Sequence, residues 1–130
     1  MSSFLLPADE LEYAVLAKLW DLGVASVREL HDQMGDPDRV YTTTAKVVDR
    51  LRGKGLIHRQ RRGKAFVYKA KVARPAVESA RAHHAINRLL GTTPHAAVAA
   101  LVEAVDIFDP QLLDELERAV SARRRSKRGT

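Results

Sequence analysis

The stretch YTTTAKVVDRLRGKGLIHRQRRGKAFVYK, residues 41–69, changes its apolar period partway along. Thr44, Val47, Val48 and Leu51 recur at intervals of three and four, the spacing of one helix face, and predict a helix from Tyr41 or Thr42 to about Lys54. Gly55 stops it. Beyond that point Leu56–Arg61 and Ala65–Lys69 read as two strands rich in apolar, aromatic and cationic residues. Arg62-Gly63-Lys64 between them is a hairpin turn, since glycine supplies the positive φ that a tight turn between twisted strands requires.

Toward the N-terminus two more helices precede this one. Pro7-Ala8-Asp9-Glu10 reads as a helix start, with proline at the first helical position and acids in the first turn. Leu11, Val15, Leu19 and Leu22 follow at helical spacing, and Tyr13, Leu16 and Trp20 widen the apolar arc, so this helix is expected to be buried on more than one side. Gly23 ends it. Ser26-Val27-Arg28-Glu29 is a capping box opening a short helix that turns Val27, Leu30 and Met34 inward. Gly35-Asp36-Pro37-Asp38 is a turn. A first strand near Ala25 would be very short. Helix, helix, helix, strand, turn, strand is the order of a winged helix-turn-helix.

After Ala73 the pattern becomes purely helical. A helix is expected over Arg74–Leu90, with Gly91 as its break. Thr93-Pro94 and Asp109-Pro110 each place a capping side chain before a proline at the first helical position. The helices they open carry Val98, Leu101, Val102 and Val105, then Leu112, Leu113, Leu116 and Val120. Three amphipathic helices with no third layer to cover them predict a core shared between two chains. Val98, Leu101, Val102, Leu112, Leu113 and Leu116 are the candidate dimerisation residues.

Charge is distributed in blocks. The chain of 130 residues carries a formal net charge of +6. Residues 1–45 sum to −5, residues 46–71 to +9, residues 72–122 to −3 and the tail to +5. A one-signed block of ten cations and one acid, Asp49, between two acidic blocks points to a polyanionic partner. A solvated charged face is the alternative, although such faces usually mix signs. Cysteine is absent, which excludes disulfides, thiolate nucleophiles and thiolate metal sites. No stretch approaches the roughly 20 apolar residues of a membrane span, and no apolar leader follows a basic start. The expectation is a soluble cytoplasmic protein without a membrane association.

In a helix-turn-helix the second helix lies in the major groove and its N-terminal residues reach base edges. The outward face here offers Thr42, Thr43, Lys46 and Arg50, with Ala45 placed to meet a thymine methyl. Asp49 either accepts from a cytosine amine or pairs with Arg50, Lys46 or Arg52. In the hairpin, Arg59, Arg61, Arg62 and Lys64 form a cationic wing suited to phosphates or the minor groove. An exposed polar strand face is the plainer reading of these arginines, but packing gains nothing from charge at the turn. His31, His58, His83, His84 and His95 have no spacing that completes a metal site. Ser79 and His83 stand at helical spacing with no orienting acid. No phosphate loop, nucleophile elbow or paired carboxylates occur, so neither an enzyme nor a cofactor or metal is expected.

Leu11-Glu12-Tyr13-Ala14-Val15-Leu16 through Leu19-Trp20, Val27-Arg28-Glu29-Leu30, Tyr41-Thr42-Thr43 and Asp49-Arg50-Leu51 with Lys54-Gly55-Leu56-Ile57 resemble the penicillinase-repressor family. The resemblance runs from about Ala8 to Val120. It implies a homodimeric repressor whose C-terminal helices dimerise and whose winged helices bind an inverted-repeat operator in double-stranded DNA. In the branch that answers beta-lactams, it further implies a membrane sensor and cleavage at an Asn-Phe pair. Ala100-Leu101 stands at the aligned position here, so that trigger does not carry over. The copper-sensing branch uses a cysteine cluster, which this chain lacks.

The expected fold is mostly α with a small β wing: a winged helix-turn-helix over 1–73, a helical dimerisation segment over 74–122 and a basic disordered tail over 123–130. Three rival functions stay open. They are a ligand-sensing winged-helix regulator, a non-specific nucleoid-associated DNA-binding or RNA-binding protein, and a pure protein-interaction module.

Overall fold

A computed structural model describes residues 4–129. The outermost ends of the expected first domain and tail, Met1–Ser3 and Thr130, lie outside the described residues. In chain order the elements are α1 (Glu10–Leu22), β1 (Val24–Ala25), α2 (Val27–Met34), α3 (Tyr41–Gly53), β2 (Ile57–Arg62), β3 (Ala65–Ala70), α4 (Arg74–Thr92), α5 (Pro94–Phe108) and α6 (Pro110–Arg128). The strands form one antiparallel sheet in the order β1-β3-β2. This is the mostly helical winged-helix class expected from the sequence. The chain divides into two compact units, Met1–Ala82 and His83–Thr130.

The first unit closes around its own core. Val15, Leu16 and Leu19 of α1, Leu30 of α2, and Val47, Val48 and Leu51 of α3 meet Leu56, Ile57 and Val77, all inaccessible or nearly so. Burying each such side chain contributes about 1.5–3 kcal/mol, which makes this cluster the main source of the unit's stability. The Ser26–Glu29 capping box forms with both of its hydrogen bonds, as the sequence predicted. At α1 the start differs from the Pro7 reading. Asp9 is the N-cap, and its carboxylate accepts from the Glu12 N–H at 2.8 Å. An aspartate can satisfy an orphan donor that proline only leaves vacant. The residues before it run alongside the end of α3, where the Leu5 N–H donates to the Lys54 carbonyl at 2.9 Å.

α4 begins where the sequence placed the domain boundary, yet its first two turns belong to the first unit. Val77 is fully buried there. The Tyr13 hydroxyl donates to Glu78 at 2.9 Å. Arg81 reaches Glu10 at 2.9 Å and lies over the Tyr13 ring at 3.7 Å. The Trp20 indole N–H donates to the Val72 carbonyl at 3.0 Å and fixes the approach to α4. The compact units therefore divide after Ala82, nine residues into α4.

The second unit is built differently. α5 packs on α6 across a tight corner at Asp109, whose carboxylate accepts from the Gln111 N–H at 3.0 Å while Pro110 opens α6. Pro94 opens α5 as expected, but Thr93 makes no side-chain cap bond. Two sequence expectations are corrected here. Gly91 does not break α4, which runs on to Thr92. Glycine weakens a helix by only about 1 kcal/mol, and the Thr92 hydroxyl adds a bond to the Arg88 carbonyl at 3.0 Å. The expected disordered tail is helical, since α6 continues through Arg123–Arg128. Arginine and lysine are good helix formers, and cations in the last turn oppose the helix dipole favourably.

Candidate nucleic-acid interface

α3 divides by face as its sequence predicts. Thr44, Val47, Val48 and Leu51 are buried. Thr42 and Lys46 are exposed on the other side, with Thr43 and Ala45 half-buried at the margins. Val40 precedes the helix and supplies no side-chain cap, while the Thr43 N–H donates to the Val40 carbonyl at 3.1 Å. Uncapped donors at a helix start suit an anionic oxygen.

α3 is held at both ends. Near its start the Thr44 hydroxyl, fully buried, pairs with His31 Nδ1 at 2.8 Å. The same imidazole meets Tyr41 edge-on, with centroids 5.7 Å apart, and Arg28 covers Tyr41 at 4.3 Å. This histidine thus has a packing role between α2 and α3. Near the end of α3, Glu12 of α1 sits with its side chain only 3% exposed and accepts from Arg50 Nε at 3.1 Å, from Lys54 Nζ and from the Ala8 N–H at 3.0 Å. Burial pushes the Glu12 carboxyl up. The Ala8 hydrogen bond, the Lys54 hydrogen bond and charge, and the Arg50 hydrogen bond outweigh that and hold it below the usual carboxylate range.

That clamp revises the reading of two α3 residues. Arg50 is 52% exposed yet committed through its Nε to Glu12, so it positions the helix whatever else its outer edge reaches. Asp49 is exposed and makes no ion pair among the described residues; the expected partner Arg50 is taken by Glu12 instead. The clue lay in the sequence. Glu12 stands on the same stripe as Val15, Leu16 and Leu19, and a carboxylate on a buried stripe demands cationic partners.

The wing is a two-residue hairpin. Arg62 pairs with Ala65, leaving Gly63-Lys64 as the turn. Gly63 has φ +62°, and no non-glycine residue among those described has positive φ, which is the type II′ arrangement. The register places Arg61 opposite Phe66 and Arg59 opposite Tyr68, so these four share one face. Arg59 and Arg61 lie over the Phe66 ring at 4.1 and 5.2 Å. The half-exposed Phe66 is therefore a platform that orients two guanidinium groups. Arg62 and Lys64 stand exposed at the tip.

Wing and α3 border a common groove, walled by Ser26 and Arg28 of the α2 start, Tyr41 of α3, and Phe66 and Tyr68 of β3. On α2 the Glu29 carboxyl is held low, first by the Ser26 backbone and hydroxyl hydrogen bonds and then by the Arg62 charge. Arg28 and Tyr41 join the surface through this groove, a juxtaposition that residue spacing alone could not reveal. The surface offers hydroxyls, an ammonium and several guanidiniums, groups suited to phosphates and base edges. Among the described residues no three His, Cys, Asp or Glu side chains gather where a metal could sit. None of the described helices is long and apolar enough to cross a membrane.

A family model described as penicillinase repressor matches residues 9–122. No curated protein matches the sequence. Among solved structures, the chain is similar to the oxidized form of MarR from E. coli, with 16% identity, TM-score 0.47, and coverage of 85% of this chain and 73% of that one. A second structure, of the multiple antibiotic resistance repressor MarR, gives 15% identity, TM-score 0.48, and coverage of 88% and 78%. ZitR of Lactococcus lactis gives 14% identity, TM-score 0.40, and coverage of 97% and 78%.

Proposed function

This chain belongs to the penicillinase repressor family of DNA-binding transcriptional regulators, and on that premise we propose that it acts as a homodimeric repressor on an inverted-repeat operator. α3 enters the major groove, where Thr42, Thr43, Ala45 and Lys46 meet base edges. Arg59, Arg61, Arg62 and Lys64 of the wing hold the phosphate backbone, and Arg28 adds a cation at the groove between them. Arg50 approaches the DNA from its Glu12 anchor.

The observation that carries this reading is the arrangement of the first unit. Exposed cations of α3 and of the wing, joined by Arg28 of α2, stand on elements that border one groove, while Glu12 of α1 and His31 of α2 hold α3. Dimerisation is supported by the second unit. Val98, Leu101 and Val102 of α5 are exposed, and Leu112, Leu113 and Leu116 of α6 are only half-buried beside α5. Apolar surface left open on two adjoining helices is what a second copy would cover.

Selection of bound fragments from genomic DNA, followed by competition against random duplex, tests the proposal. A specific repressor should favour its operator by at least about 10³. A ratio near one would mean a non-specific DNA-binding protein.

A further inference from the structure

The last two turns of α6 carry a cationic surface that the α3 and wing contacts do not use. Arg123, Arg124, Arg125 and Arg128 are exposed and make no ion pair among the described residues. We propose that this helical end is a second, sequence-independent contact for the phosphate backbone of duplex DNA. The inference rests on the DNA-binding reading above for its partner, but not on α3 being the reader.

Local electrostatics do not account for the cluster. Residues four positions upstream of the three consecutive arginines are Ala119, Val120 and Ser121, none of them acidic. Downstream, Arg124 faces Arg128 at the i,i+4 spacing, where like charges destabilise a helix. The helix dipole compensates part of that repulsion, but only across the last turn. A nearby polyanion removes the rest. The acids of α6, Asp114, Glu115 and Glu117, all lie before this stretch, so the helix is acidic early and basic late.

The chemistry favours a phosphate polymer over other anionic partners. Four of the five cations between 123 and 128 are arginines, whose planar guanidinium matches phosphate oxygens in pairs. A helix that lies in a lipid surface needs a bulky apolar face beside its cations. Here the neighbouring apolar side chains are Ala119, Val120 and Ala122, too small to anchor one. Duplex DNA asks only for exposed charge at roughly phosphate spacing.

The test is the full-length triple variant Arg123→Gln, Arg124→Gln, Arg125→Gln, which keeps good helix formers in place. Circular dichroism and sedimentation first establish that helix content and self-association match the wild type. Affinity is then measured from 50 to 200 mM salt on the selected operator and on random duplex. The slope of log affinity against log salt should fall by about 0.9 for each phosphate that the variant no longer neutralises. One such phosphate per chain in a dimer gives a slope change of about 1.8. Both duplexes should weaken by the same factor, leaving the operator preference unchanged. Unchanged slope and affinity on both duplexes would overturn the proposal. So would tighter binding of the wild type to phosphatidylglycerol vesicles or to polyglutamate than to random duplex, abolished in the variant. A wild type with no operator preference would defeat the repressor reading alone, because the slope on random duplex still reports on the end of α6.

Discussion

The two compact units use their apolar residues in opposite ways. In Met1–Ala82, Leu16, Leu19, Leu30, Leu51 and Leu56 are fully buried by their own unit. In His83–Thr130 no described residue is buried, and Leu101, Val102, Ile107 and Phe108 stand exposed. Similar helix-forming sequence thus yields a self-sufficient core in one region and unfinished surface in the other. Protein concentration should therefore matter to one unit and not to the other. A defect in the first should cost folding at any concentration, whereas a defect in the second should be felt through association.

The largest effect is expected in the self-contained core. Leu51→Ala removes a fully buried side chain where α1, α3 and β2 meet and should cost about 2–5 kcal/mol of folding stability. Chemical denaturation at two protein concentrations checks it: the loss should be the same at both. A loss that vanished at the higher concentration would mean that the first unit also leans on a partner.

Leu101→Glu probes the other side of the comparison. Leu101 is 43% exposed in the single chain, so a charge there costs an isolated chain little. Under a second copy the same charge would be buried unpaired, at a cost of several kcal/mol of association. Sedimentation should show a dimer for the wild type at micromolar concentration and a monomer for the variant, with the α1–α3 core intact. A monomeric wild type would remove the dimer from the proposal. An unaltered dimer in the variant would place the interface elsewhere.

Glu12→Gln comes next and carries a pH signature. Removing the charge leaves Lys54 and Arg50 without their carboxylate. Both are partly solvated, so the expected loss is only about 1–3 kcal/mol. The Glu12 carboxyl is held below its ordinary value of 4.5 in the folded chain. Its contribution is therefore complete above the unfolded value and disappears as pH falls through the folded one. Denaturation curves between pH 6 and pH 3 should converge for wild type and variant as the solution turns acid. Parallel curves would show that the charge on Glu12 contributes nothing.

Much of this was legible in the sequence, for definite reasons. α3 was readable because Thr44, Val47, Val48 and Leu51 keep one face and Gly55, at φ +79°, ends it. The hairpin was readable because Gly63 marks its turn. What escaped depends on contacts between distant residues. The Glu12 clamp joins positions 38 and 42 residues apart, which no local pattern encodes. Arg50 belongs with these: spacing shows the outward face on which its side chain stands, but not its bond to Glu12. Gly91 and the arginines after Ser121 misled for a different reason. Each is a weak local signal, and the surrounding helix outweighed it.

The smallest effects separate reader from wing inside the self-contained unit, and they sharpen the contrast between the units because neither should touch association. Lys46 is the cleaner probe of α3, since Arg50 also supports the fold through Glu12. Lys46→Ala should lose about 1–3 kcal/mol on the operator and much less on random duplex, the mark of a side chain that reads a base. Arg62 and Lys64 flank Gly63 at an exposed tip whose II′ geometry aims charge outward without packing it. Arg62→Ala and Lys64→Ala should weaken both duplexes alike, each lowering the salt slope by about one phosphate's worth. A salt titration of the three variants on two duplexes reads all of this at once. If a wing variant changes which sequence is preferred, the wing reads the minor groove and the division of labour is wrong. If Lys46→Ala changes neither duplex, α3 is not the reader, and the surface around the Arg28–Tyr41–Phe66 groove must be reassigned.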